Sequence, residues 1–489
     1  MNINSTIVRR TVAVFALTLL SGQLLADSQS ANTSQAMRME HDLLGEKAVP
    51  ATAYYGVQTA RALENFQISG RTLSDYPELI IGFAQTKMAA ASGNTDVGKM
   101  DAKVRDAIHK AGKAIIAGTS TNMNANGLMA NVALELTGHK LGDYDVIEPH
   151  DHLNMSQSTN DSYPTALKVA IFTNNDKLVG ETEKLITALR AKGDEYIDIL
   201  KMGRTEMQDA VPMTLGQEFH AFAAALETEI AFLRDAEKPL FSINMGATAI
   251  GSGLNAPKGY AEKTTKHLAQ LTGKPIVLAG DLFAATWDQH AFVAESAALR
   301  SLAIKLSKIA SDLILLSSGP RAGLGEINLP PMQPGSSIMP GKVNPVIAEL
   351  MNLVSFRVIG NDVSVTLAAR NGQLQLNAYE PLEAIAILDS QRLLTNAMRT
   401  LRLKCVDGIS VNTDTLEHYI QRTVGIVTAL NPVIGYDRST ELAAEAYRTN
   451  KGILEIIREK KILTEEQIAE ILDPAALTGL DKAQYKSSN

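Results

Sequence analysis

Between Gly335 and Pro345 the chain reads Gly-Ser-Ser-Ile-Met-Pro-Gly-Lys-Val-Asn-Pro, which sets two hydroxyls, a lysine and an amide among glycines and prolines. Gly335 and Gly341 let the backbone turn and approach a ligand closely, while Pro340 and Pro345 stiffen it. Lys342 adds a positive charge beside the serine pair. Such a segment suits a small anion. One serine could take a proton from carbon while Lys342, Asn344 and the loop N–H groups hold the negative charge that develops. A plain surface turn needs neither the lysine nor the asparagine, so these residues read as a site.

Taking a proton from a carbon next to a carboxylate creates a doubly charged, enediolate-like species, and stabilising that charge is the hard part. The donors must be fixed beforehand, because losing one preorganised donor costs roughly 3 to 4 kcal/mol of barrier. Thr119, Ser158, Thr159 and Ser337 are suitable hydroxyl donors. Ser158, Thr159 and Asn160 also stand where they could cap a helix starting near Pro164, which fits as a first-turn proline. Both roles can hold at once. Glu349, in a helix predicted after Pro345, is read with equal weight as a buried support for the loop or as an exposed helical glutamate. The 9 histidines show no metal-ligand spacing, and His150 and His152 read as part of a turn. This chemistry needs no metal.

These residues must be positioned by a large scaffold. At 489 residues the chain is long for a single core, and roughly two to four domains are expected. Hydrophobic residues make up 45% and charged residues 20%, as in an ordinary globular protein, and the net charge of −7 gives no reason to expect nucleic acid. A net-negative protein that handles a dicarboxylate must concentrate positive potential locally, as a loop around Lys342 would.

Arg9-Arg10, the apolar run Thr11 to Leu20, and Ser21-Gly22 ahead of a cleavage point after Ala26 read as a signal peptide over residues 1–26. The run is too short to span a bilayer comfortably. The mature protein is then periplasmic or secreted, with no membrane partner after cleavage, and cytoplasmic if the signal is not used. The alternatives are an N-terminal anchor or a misassigned start. A lone cysteine, Cys405, rules out an internal disulfide. Residues 27–38, rich in Ser, Asn and Gln, read as a disordered linker, with the fold beginning near Met39.

Residues 39–155 read as a mixed, mostly helical domain with helices around Tyr76 to Ser92 and Ala102 to Ile116. Residues 156–410 carry the strongest helical periodicity. Leu299, Leu302, Leu306, Ile309, Leu313 and Leu316 alternate spacings of three and four, and Leu215, Phe219, Phe222, Leu226, Ile230 and Leu233 repeat the pattern. With further helices at 164–200, 345–370 and 380–404, five long helices form a bundle. Its seams exceed what one bundle core needs, so self-association is expected. Residues 411–489 read as a small domain of shorter helices, one starting after Leu463-Thr464.

The Gly335–Pro345 segment resembles the G-S-S-x-M-P-x-K-x-N-P loop of the aspartase/fumarase superfamily of elimination enzymes. The resemblance extends through Asp42-Leu43-Leu44-Gly45, Ala53-Tyr54-Tyr55-Gly56-Val57-Gln58, Gly118-Thr119-Ser120, Asn122-Met123-Asn124 and Gln157-Ser158-Thr159-Asn160-Asp161. It continues in Met202-Gly203-Arg204-Thr205, the run from Gln208 to Phe219, and Leu315 to Leu324. Several blocks in the right order make accident improbable, where one alone would be weak.

The resemblance implies a mainly α, three-domain fold whose five-helix bundles assemble into a twenty-helix core in a homotetramer. Each active site would gather segments from three subunits, leaving a monomer inactive. Ser336 would be the general base, its alkoxide favoured by Lys342 and the loop N–H groups. Thr119, Ser158, Thr159 and Ser337 would grip the carboxylate beside the carbon losing its proton, and Lys342 and Asn344 the other carboxylate. Asn160 and Thr205 lie in the same substrate-contacting blocks. The loop would close on Gly335 and Gly341 as hinges. No organic cofactor is implied, although Mg²⁺ activates some members.

Glu206 follows the Gly-Arg-Thr triplet, where fumarases carry histidine and aspartases glutamine or histidine. A carboxylate there attracts an ammonium and repels an additional substrate carboxylate. Gln208 to Met213 and Gln373 to Asn377 resemble the aspartase branch. Two features depart from the family: Ile115-Ile116-Ala117 runs almost directly into Gly118-Thr119, and Gly127 stands where a glutamate is usual. Three readings stay open: elimination of ammonia from L-aspartate to give fumarate, hydration of fumarate, and an inactive dicarboxylate-binding homologue.

Overall fold

A computed structural model of the chain describes residues 36–118 and 125–478. The expected signal peptide, most of the linker, and Thr119 with the rest of its block through Asn124 lie outside those residues. The chain opens with an antiparallel hairpin, β1 (Met37–Asp42) and β2 (Gly45–Pro50), in which Met37 faces Pro50 and Asp42 faces Gly45. The first strand therefore starts two residues before the expected Met39. Arg38 explains this, because its guanidinium donates to the carbonyls of Pro50, Ala53 and Tyr55 and pairs with Glu40 at 2.7 Å. Helices α1 (Val57–Asn65), α2 (Pro77–Asp96), α3 (Ala102–Ile116) and α4 (Ala125–Leu136) follow. Asp101 caps α3 by accepting from the Lys103 N–H.

The middle of the chain holds α5 (Thr159–Glu195), a second hairpin of β3 (Leu200–Thr205) and β4 (Gln208–Thr214), α6 (Leu215–Glu237), α7 (Tyr260–Thr272), α8 (His290–Leu316), α9 (Val346–Asn371) and α10 (Glu380–Lys404). Five of these helices close a ring in which α5 packs on α6, α6 on α8, α8 on α9, α9 on α10 and α10 back on α5. Every residue of the Leu299-to-Leu316 seam is buried, as is the α6 run apart from half-buried Ile230. On its outer side α5 packs against α2, which approaches so closely that a Cβ at Gly82 would lie 2.2 Å from the Ala166 carbonyl oxygen. Short helices α11 (Thr413–Arg422), α12 (Val427–Ile434), α13 (Tyr436–Thr449), α14 (Ile453–Glu459), α15 (Glu465–Ile471) and α16 (Pro474–Thr478) end the described chain. Thr464 caps α15 through a reciprocal box with Gln467, at the helix start expected after Leu463.

One expectation about α5 needs correcting. Pro164 is not its first-turn proline but sits one turn inside, because Ser158 caps the helix and pairs with Asp161 in a capping box. Proline has no N–H to give the Asn160 carbonyl. The Asn244 side-chain amide, 3.0 Å away, supplies that hydrogen bond instead, so the helix passes through the proline. The same helix ends at Glu195 rather than near 200, where the chain turns into β3.

The bundle interior holds carboxyls whose hold on the proton burial strengthens. Glu295 is pushed up to about 7 by burial, while Asn175 and Gln391 donate to it at 3.0 and 3.3 Å. Glu383 is fully buried, and neither of its oxygens has a hydrogen-bond partner among the described residues. Burial, with neighbouring Glu380 second, pushes its carboxyl up to about 8 from 4.5. A carboxyl raised by folding lends its full stability below its unfolded value and loses it as the pH climbs through the folded one. Between about pH 5 and about pH 8, Glu383→Gln should therefore lose less stability than the parent, by up to about 4 kcal/mol. Thermal melts across that range check this, and equal slopes would refute it.

Candidate active site

The Gly335–Pro345 loop leads into α9 and is folded on itself. The Gly335 N–H donates to the Lys342 carbonyl at 2.7 Å, and the Asn344 side-chain amide donates back to the Gly335 carbonyl at 3.2 Å. A Cβ at Gly335 would sit 2.8 Å from the Lys342 oxygen, so the closure requires glycine there. Gly341 has φ +82°, the left-handed region, where glycine costs least. Within this loop the Ser336 Oγ accepts from the backbone N–H groups of Ile338, at 3.2 Å, and Met339, at 3.1 Å. Hydrogen bonds donated to an oxygen favour its anion, so the loop is built to make that hydroxyl more acidic. Ser337 and Lys342 are exposed, and Lys342 makes no ion pair with any described residue. Glu349 is exposed on the first turn of α9, which in the single chain is the second of its two readings.

Thr205 and Glu206 belong to the β3–β4 hairpin. Thr205 pairs with Gln208, leaving Glu206-Met207 as a two-residue turn with φ +52° and +65°. Such turns match strand twist but usually take Asn-Gly. Two bulky residues in the left-handed region are strained, and strain of this kind gathers at functional sites. The hairpin is held by a buried charge cluster that the sequence reading missed. Glu326, with no exposure, receives Arg204 at 2.5 Å and Lys201 at 3.0 Å, and Lys201 also meets Glu218 at 2.7 Å. Arg204 lies over the Tyr419 ring, and Thr423 donates to Asp209, tying the hairpin to α11. Arg204 stood in a recognised block, but nothing local marked Glu326 as its partner.

Ser158, Thr159 and Asn160 start α5. The Ser158 hydroxyl accepts from the Asn160 N–H, and the Asn160 amide donates to the Ala249 carbonyl at 2.7 Å. Thr159 is exposed, with its hydroxyl free of described partners. His150 approaches Gln58 and His152 accepts from the Glu148 N–H, so both histidines serve a turn.

One chain does not bring all these residues together. Helix α5 has 37 residues, about 55 Å at 1.5 Å per residue. Its start carries Ser158 and Thr159, and its end leads into the hairpin that carries Thr205 and Glu206. The Ser336 loop lies at the hairpin end, because α9 runs antiparallel to α8. Asn352 meets Ser307, Asp362 meets Ser296, and Glu326 just after α8 meets Arg204.

A model of the family described as Lyase matches residues 45–360, and one described as Fumarase C C-terminus matches residues 426–479. A curated aspartate ammonia-lyase from Pseudomonas aeruginosa is 51% identical over 454 residues, covering 89% of this chain and 96% of that protein. Among solved structures, a fumarate lyase:delta crystallin from Brucella melitensis bound to cobalt aligns with TM-score 0.86 and 46% identity over 90% of this chain and 99% of its own. A class II fumarase from Schistosoma mansoni aligns with TM-score 0.82 and 34% identity over 90% and 98%. With the family model spanning most of the chain and relatives this similar along nearly all of it, the chain belongs to the lyase family its motifs resemble, the aspartase/fumarase superfamily.

Proposed function

We propose that this protein is an aspartate ammonia-lyase, interconverting L-aspartate with fumarate and ammonia by anti elimination. The greater likeness to a curated enzyme of that name, 51% against 34% for the class II fumarase, supports ammonia loss over hydration. The observation that carries the mechanism is the pair of N–H groups on Ser336 Oγ. As an alkoxide, Ser336 takes the C3 proton, giving a dianion held at one carboxylate by Thr119, Ser158, Thr159 and Ser337 and at the other by Lys342 and Asn344. Collapse of the dianion forms the C2–C3 double bond, and the ammonium nitrogen leaves as ammonia with the C–N electron pair. Asn160 and Thr205 complete the substrate contacts. Among the described residues no three His, Cys, Asp or Glu side chains converge as a metal site.

A homotetramer follows from the same reading. The separation of Ser158 from Ser336 along the bundle calls for other copies to complete each site. Leu353, Phe356, Val363 and Leu367 form a stripe on α9 that is 55–65% exposed in the single chain, a face suited to a neighbouring bundle. Arg9-Arg10 and the apolar run after them favour an exported enzyme.

Absorbance at the fumarate band tests the function. Growth on adding L-aspartate is expected, whereas growth with malate alone would turn the reading to a hydratase, and silence with both to an inactive homologue. Glu206 is assigned to the leaving amine, which its charge attracts. Glu206→Gln should weaken aspartate turnover by roughly tenfold, the scale of one charge contact. Unchanged kcat and KM for aspartate would remove Glu206 from that role.

A further inference from the structure

We propose that Lys87 and Asp161, two buried charged residues outside the substrate contacts, are positioning residues that clamp the turn presenting Ser158 and Thr159 to the substrate carboxylate. This rests on the aspartate ammonia-lyase reading and assigns a second layer behind its donors.

Lys87 lies on α2 with only 3% exposure. Its ammonium donates to Asn154 Oδ1 at 3.0 Å and Gln157 Oε1 at 2.9 Å, two residues of the strap that enters α5. Gln157 immediately precedes Ser158, and its own amide nitrogen donates to the Leu153 and Met155 carbonyls. Two turns further along α2, fully buried Asn94 donates to the Met155 carbonyl at 2.9 Å and accepts from the Ser156 hydroxyl at 2.7 Å. Ser156 is held at φ +61°, a conformation that serine adopts only when its surroundings impose it.

Asp161 fixes the other side of the turn. It is fully buried on the first turn of α5, where one carboxylate oxygen accepts from the Ser158 N–H at 2.9 Å. The other accepts from the N–H groups of Gly246, at 3.2 Å, and Thr248, at 3.0 Å. Asn160 and Asn244 join the same two segments from the side. Ser158 is thus held between α2 and the 244–249 loop, while the exposed Thr159 hydroxyl is left to act.

Burial opposes both charges, pulling the Lys87 ammonium down to about 7 and pushing the Asp161 carboxyl up to about 6. Asparagine and glutamine already supply this turn with neutral hydrogen bonds, so simple packing would not need an ammonium as well. Each charge favours the other across the turn, Lys87 drawing the Asp161 carboxyl down and Asp161 raising the Lys87 ammonium, so the two hold as a pair.

The test uses the full-length protein with Lys87→Met, Asp161→Asn and the milder Lys87→Gln, which keeps one donor. Three readouts are taken: aspartate kinetics, calorimetric affinity for the unreactive dicarboxylate succinate, and amide exchange over residues 153–162. Lys87→Met and Asp161→Asn are expected to lower kcat/KM and succinate affinity by about tenfold or more, the effect of loosened donors rather than of lost fold. Exchange should quicken within 153–162, and Lys87→Gln should recover part of the loss. Parental kinetics and succinate affinity in both variants would overturn the clamp, even if their melting temperatures fell. Fumarate release by the parent protein judges the aspartate reading separately, since succinate affinity and exchange judge the clamp without turnover.

Discussion

Replacing Ser336 by alanine should lower kcat for aspartate by on the order of 10²- to 10⁴-fold, the range for loss of a positioned general base. KM should move little. The substitution removes one oxygen from a loop that closes through other contacts, the Gly335–Lys342 and Asn344–Gly335 hydrogen bonds. The fold and succinate binding should therefore survive, and steady-state kinetics beside calorimetry separate the two effects. A weak base such as a serine hydroxyl can do this work only where its anion is favoured. The N–H groups of Ile338 and Met339 provide part of that preference before substrate arrives. Lys342, exposed and without a described ion-pair partner, remains available to supply the rest when the loop meets substrate. Near-parental turnover by Ser336→Ala would assign proton removal elsewhere.

The second large effect is expected at Glu326. Alanine there leaves Lys201, itself 3% exposed at the side chain, and Arg204 without their shared carboxylate. Breaking a buried pair by removing one partner typically costs about 3 to 5 kcal/mol when the remaining charge is uncompensated. Lys201 keeps Glu218 at 2.7 Å, so Arg204 carries most of the loss and the lower end of that range is expected. The loss should appear as a large drop in melting temperature. It should also disturb the Glu206-Met207 turn, since Arg204 lies near the end of the strand that leads into it. Turnover at temperatures where the variant stays folded should accordingly fall, and an unchanged melt would mean that the cluster contributes little. Glu326→Gln, which keeps the shape and an acceptor, should lie between the two.

The bundle could be read from the sequence because its information is local and periodic. The Leu299-to-Leu316 seam and the Leu215-to-Leu233 run are buried as their spacing requires, and the Ala102–Ile116 helix has the expected ends. The loop around Ser336 was equally legible, since glycines, prolines and polar residues crowded into one segment have few other uses. What stayed hidden depends on partners distant in the chain. Pro164 looks like a first-turn proline until Asn244, 80 positions later, is seen to replace its missing hydrogen bond. Lys87 looks like a solvated helical lysine until Asn154 and Gln157 fold over it. Glu326 and Glu383 carry no local sign of burial. The β3–β4 hairpin was missed because its turn uses Glu206-Met207 in place of the glycine and asparagine that announce such turns.

Geometry within one chain sets the most direct test. Thr159 and Ser336 stand at opposite ends of the bundle, so the proposed site takes them from different copies. Thr159→Ala and Ser336→Ala, expressed separately, should each be nearly inactive on L-aspartate. Co-expressed in equal amounts, they should form mixed oligomers in which about a quarter of the sites hold neither substitution, and fumarate production should recover toward that fraction. Mixed oligomers with no recovered activity would contradict the account.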